Sequence, residues 1–218
     1  MSGDNENLNE LMIPDNVRQL RANIENHELS SEDSPFTLSL RREEFEEEKE
    51  MKRFIKTCES IIRKSPEYKI WTNYIRDSIG IVKCALTNER HGHVTCDIHH
   101  HPVSLYTIVR GIIIDYLIKG DDFCCLDVAI KILELHYENR VGYISIIRSL
   151  HEKFHNGFLN LPMELVMGDY KHFMDNYYVN LSDEEKDIID SRLAINLGNC
   201  GYGNSYNWGN NNYIAVNQ

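Results

Sequence analysis

Leu105, Ile108, Val109, Ile112, Ile113, Tyr116 and Leu117 fall at i, i+3, i+4, i+7, i+8, i+11 and i+12. That spacing lines up one face of an α-helix. A face so apolar must be buried against other elements, so the chain needs a helical core to receive it. Ser104 stands where an N-cap belongs, and Gly120-Asp121-Asp122 closes the helix. With 218 residues, 42% of them apolar and 26% charged, one such core is within reach. No apolar run approaches the roughly 20 residues of a membrane helix, and the acidic N-terminus is unlike a secretory signal. These features lead us to expect a cytoplasmic protein with no membrane partner.

The neighbouring segments support a mostly helical α+β fold. Residues 41–64 read as a helix: Glu43, Glu44, Glu46, Glu47 and Glu48 crowd its start and Arg63 and Lys64 close it, which suits the macrodipole. A second helix is expected over 67–78, with Tyr68, Trp71, Tyr74 and Ile75 on one side. Residues 125–138 repeat the pattern through Val128, Ala129, Ile132, Leu133 and His136, where His136 reads as a core or groove histidine. Val141–Ile146 is a short apolar strand or loop. Pro162 opens a helix to about Tyr177, and Ser182 with Glu185 forms a capping box for another to about Leu197. The expected organisation is an acidic N-terminal arm at 1–40, one domain at 41–197, and a Gly/Asn-rich tail at 198–218. The arm and the tail are candidate docking segments for a phage or host protein. Six scattered cysteines without a Cys-x-x-Cys pair suggest reduced, mostly buried thiols.

Two histidine clusters carry the chemistry. Gly80–Leu86 and His93–His99 read as the two strands of a β-hairpin around a Thr87–Gly92 turn. The second strand leads into His99-His100-His101-Pro102. Strand alternation places His99 and His101 on one face, with Asp97, and His100 on the other. Downstream, His151 and His155 stand at i and i+4, one helix face, before a terminating Asn156-Gly157. Neutral imidazole is the commonest side-chain ligand for transition metals. A strand end and a helix face are rigid enough to hold one ion between them. The alternatives are four separately satisfied histidines, or a closed structural zinc site.

At these residues the chain resembles the HNH, or ββα-metal, nucleases, in which a β-hairpin and a helix pinch one metal ion. The matching residues are His99-His100 with Pro102 close behind, and the pair His151 and His155, within an HNH-like core at 81–160 carrying inserted and flanking helices. It also resembles small bacteriophage proteins with His-His-x-Pro and His-x-x-x-His-Asn-Gly elements. The resemblance implies His99, His151 and His155 as ligands of one divalent ion (zinc, magnesium, manganese or nickel), His100 as general base, and DNA as the partner. It leaves open whether the working dyad is His99-His100 or His100-His101. The family's Asn that orients the base falls at Gly142 here, so Asn156 or Asn139 is the candidate to replace it.

The net charge of −11 disfavours nonspecific binding to a polyanion. Residues 66–180 are nearer balance, with 14 acidic and 11 basic side chains. A basic lip from Arg140, Arg148, Lys153 and Lys171 is expected beside the histidines. The functional expectation is a metal-dependent, phage-encoded endonuclease hydrolysing DNA phosphodiesters. The alternative is a non-catalytic phage protein on the same scaffold: a structural zinc protein, a nucleic-acid binder, or a subunit of a virion or transcription complex.

Overall fold

The structure, a computed structural model, describes residues 40, 42–90, 92 and 94–198. The expected N-terminal arm at 1–40 and the 198–218 tail fall almost wholly outside these. The architecture is mostly helical α+β, as the periodicities require. A short 3-10 turn at Arg42–Glu46 leads into α1, Glu48–Lys64, then α2, Pro66–Asp77. Strand β1 is Cys96–His100, followed by α3, Leu105–Lys119, and α4, Cys125–Tyr137. Strand β2, Tyr143–Ile147, runs directly into α5, Arg148–His155. Two further helices, α6 (Tyr170–Tyr177) and α7 (Asp183–Leu193), complete the described chain.

Helices α1, α3 and α4 pack on one another and form the main core. Val109, Ile113, Val128 and Ile132 are fully buried there, together with Ile55, Cys58 and Ile62 of α1. The local signals act where the sequence puts them. Ser104 Oγ accepts the Thr107 N–H, Gly120 takes the left-handed conformation after α3, and Ser182 and Glu185 complete a capping box. All five described cysteines are unbonded.

The sheet differs from the sequence expectation. Among the described residues, no strand ladder joins 80–86 to 94–99. Strand β1 instead pairs antiparallel with β2, from Cys96 opposite Ile147 to His100 opposite Tyr143. Residues 80–86 contribute an isolated bridge between Lys83 and Arg90. They also lie against β2, through Ala85 N–H to the Ser145 carbonyl. Strand β2, buried along most of its length, is the better partner for β1, because both its faces are covered. Tyr143 joins the helical core, whereas Ile144 and Ile146 join a smaller cluster with Cys84, Leu86, Leu159 and Leu161.

The helix expected over 162–177 is also interrupted. Gly168 sits at φ +80°, and Met167 exchanges two backbone hydrogen bonds with Tyr143. The chain therefore runs beside β2 before α6 starts at its Asp169 cap. The last helix stops at Leu193, four residues short of the expected end.

Candidate metal centre

The strand–strand–helix order of β1, β2 and α5 determines the site. Helix α5 begins as β2 ends, so it packs back across the sheet and against β1. Its residues at i and i+4, His151 and His155, then meet the His99 ring at the end of β1. His99 Nδ1 is 2.9 Å from His151 Nε2, and His155 Nε2 is 2.8 Å from that same atom. The three rings each offer one nitrogen to a common point, all within 4.8 Å of one another. His151 Nδ1 faces the Asp97 carboxylate at 3.2 Å. That contact places the proton on Nδ1 and turns the Nε2 lone pair inward, as in carboxylate–histidine–metal arrangements.

The donor set fits a cation. A neutral imidazole has one N–H and one lone pair. With His151 Nε2 as an acceptor, its single lone pair cannot serve both His99 and His155. Three inward lone pairs resolve the conflict around an ion. Burial and the other imidazoles hold His99 down to about 2, and burial with the His151 contact lowers His155 as well. Deprotonated rings are what a metal needs. His99 Nε2, the ring nitrogen turned away from His151, is buried without a partner, and with Nδ1 offered to an ion it is the nitrogen that keeps the proton. Coordination at 2.0–2.1 Å would spread the two close pairs to roughly 3.3 Å, a shift of about half an ångström.

His100 and Asn156 do not join this cluster. His100 points from the opposite face of β1 and is 3% exposed. Its Nε2 is 2.7 Å from His136 Nε2, and His136 Nδ1 is 2.6 Å from the Ile132 carbonyl. His136 therefore donates from Nδ1 and accepts at Nε2, which fixes the His100 proton on Nε2. Trp71 and Tyr68 stack beside His100 and meet His136 edge-on. Burial lowers His100 well below the ordinary histidine range and takes His136 down to about 4. His136 is the core histidine its helical stripe implied. His101 returns to the side of His99, against Phe154, where burial and the Arg192 charge pull it down to about 3. Asn156 is the exposed cap of α5, its N–H donating to the Glu152 carbonyl.

Gly142 admits no asparagine. A Cβ there would overlap the His101 carbonyl and stand 2.7 Å from Tyr170 Cβ. Nor is Asn139 near the cluster: it sits at φ 56° beyond α4 and accepts from Tyr143 Oη.

The imidazoles open on a cleft of about 1090 Å³ between β1, α1, α3 and α7. The basic groups lining it include Arg63, Arg110 and Arg192. None of the four lip residues expected from sequence lines it: Arg148 pairs with Asp97 and Arg140 with Glu138. Arg192 in particular carried no sequence signal, because it lies on a separate helix.

The fold and this site together define a helical α+β protein with a tri-histidine cluster at a cleft. The chain belongs to the bacteriophage G278-like virion protein family, whose model matches residues 4–197. No curated protein and no solved structure matches it. Among the described residues, no helix is long and apolar enough to cross a membrane.

Proposed function

We propose that this virion protein binds one divalent transition-metal ion through His99, His151 and His155, with a coordination position left open to the cleft. The observation that carries this reading is the convergence of three imidazole nitrogens, two of them 2.8–2.9 Å from the third. An all-imidazole donor set suits zinc, nickel or copper far better than magnesium, which prefers oxygen. Zinc is the ion we assign, because three protein ligands and an open fourth position are the usual zinc arrangement in sites that engage a ligand. Asp97 orients His151, and Phe154 packs edge-on to the His99 ring at 4.8 Å. Both hold the ligands in place before an ion arrives. Dialysis against zinc followed by elemental analysis tests the reading. One equivalent per chain is expected, with loss in His151→Ala. A metal-free wild type would overturn it.

Phosphodiester hydrolysis is the second reading, favoured by the order β1, β2, α5 around the three histidines. The order matches the nuclease resemblance, although α3 and α4 are inserted between the strands. Its water activator would not be His100, whose ring is committed to His136. Zinc held here would lower the pKa of a water to about 7, so no separate base is required. DNA is the partner this reading implies. Plasmid incubated with the zinc-, nickel- or manganese-loaded protein should be nicked, and equally by the His100→Gln variant. Intact plasmid under all three metals would remove this second reading and leave the metal-binding virion protein.

A further inference from the structure

Among the described residues, Arg192 of α7 is a cation of the cleft without an anionic partner. Arg63 pairs with Glu59 at 3.6 Å, and Arg110 pairs with Glu185. Among the described residues, Arg192 meets no carboxylate. Its Nη1 donates to the Pro102 carbonyl at 2.7 Å, and its guanidinium carbon stands 5.2 Å from the centre of the Phe154 ring. Among the described residues, its other N–H groups meet no acceptor. The side chain is half-buried, and burial lowers its pKa.

A partly desolvated charge without a counter-charge is costly, and proteins normally pair it. Here the cost is compounded. Phe154 also touches His99 at 4.8 Å and His155 at 5.7 Å, so Arg192 shares a wall with the tri-histidine cluster. A dication bound there would be repelled by the guanidinium charge. The cleft's own carboxylates do not relieve it. Glu59 and Glu185 are held by Arg63 and Arg110, Glu48 is held by Lys52, and Glu46 and Glu184 are exposed.

We propose that this wall is an oxyanion site, in which Arg192 binds a second oxygen of the phosphate-type group that fills the metal's open position. The proposal rests on the tri-histidine metal reading. One tetrahedral anion would neutralise both cations, and the planar guanidinium fork is the side chain best matched to adjacent phosphate oxygens. The group is either a free phosphate or a phosphodiester within a nucleic acid, since both present two non-bridging oxygens. A neutral ligand would leave Arg192 uncompensated.

Cobalt(II) substitution tests the metal and the anion separately. The protein is loaded with cobalt, and its visible absorption is followed during titration with inorganic phosphate or with single-stranded oligothymidylate. The proposal expects a spectral shift in the wild type, displaced at least tenfold to higher concentration in Arg192→Met. Arg192→Lys keeps the charge and loses the fork, so it should lie between. Cobalt affinity of both variants should equal or exceed that of the wild type, and circular dichroism identifies any variant that fails to fold. A response to oligothymidylate at lower phosphate concentration than the free ion assigns the diester; the reverse assigns free phosphate. Cobalt that binds but ignores both anions, or responds equally in wild type and both folded variants, overturns the oxyanion site while leaving the metal site standing. Failure to bind cobalt overturns both.

Discussion

At the scale of single residues, the site depends on which face of β1 each histidine occupies. His99 and His100 are adjacent in sequence, yet one faces α5 and the other faces Trp71 and His136. Asp97 shares the His99 face, and its carboxylate determines the tautomer of His151. Asp97→Asn should therefore weaken zinc binding by about 10- to 100-fold without unfolding the protein. Competition against a chromogenic chelator would measure the change, and an unchanged affinity would deny Asp97 its orienting role. The His100–His136 pair makes a different prediction. His136 titrates near 4 when folded and near 6.5 when unfolded, so the unfolded chain binds more protons between those values. Its contribution is complete above about pH 6.5 and is lost as pH falls toward 4, on the order of 3 kcal/mol in all. Urea unfolding should thus show stability falling as the pH drops from about 6.5 toward 4. A flat profile between pH 6.5 and 4 would contradict the buried neutral pair.

At the scale of elements, β2 holds the site together. It pairs with β1 on one edge, meets Met167 and Ala85 through further backbone hydrogen bonds, and runs into α5 without a loop. The close approach of chains at its start depends on Gly142 and Gly168. A Cβ on Gly142 would strike the His101 carbonyl, and one on Gly168 would strike the Val141 carbonyl. Gly142→Ala should cost 2 kcal/mol or more, on the order of other backbone clashes in a core. Because it displaces His101, it should also lower zinc affinity. A urea midpoint matching the wild type would show that the strands tolerate separation. The sequence announced helices α1 to α4 through apolar periodicity and caps, because those signals are local. It also announced the face-sharing of Asp97, His99 and His101, which needs only strand alternation. The partner of β1 was hidden. Pairing of Cys96 with Ile147 is a tertiary choice between two apolar segments, and the nearer one, Gly80–Leu86, lost. Arg192 was hidden for the same reason: nothing in α7 refers to a cleft lined by β1 and α1.

At the scale of the molecule, the sheet lies between the helical core and a smaller apolar cluster. The core of α1, α3 and α4 receives His100 and Tyr143 on one side of the sheet, while the smaller cluster around Ile144 and Ile146 supports the other. Helix α5 contributes no buried residue to either. Its attachment rests on partly buried Leu150 and Phe154, and on the histidines themselves. Metal binding should therefore stabilise α5 more than the core. Hydrogen exchange should slow in 148–157 on zinc addition, with little change in 105–117; equal slowing throughout would contradict a local clasp. The central claim is that three imidazoles, from β1 and α5, hold a single ion. X-ray absorption at the zinc edge of the loaded protein tests it most directly. The account predicts three imidazole nitrogens at about 2.0–2.1 Å with one lighter oxygen ligand. Sulfur at about 2.3 Å, or fewer than three imidazoles, would contradict it.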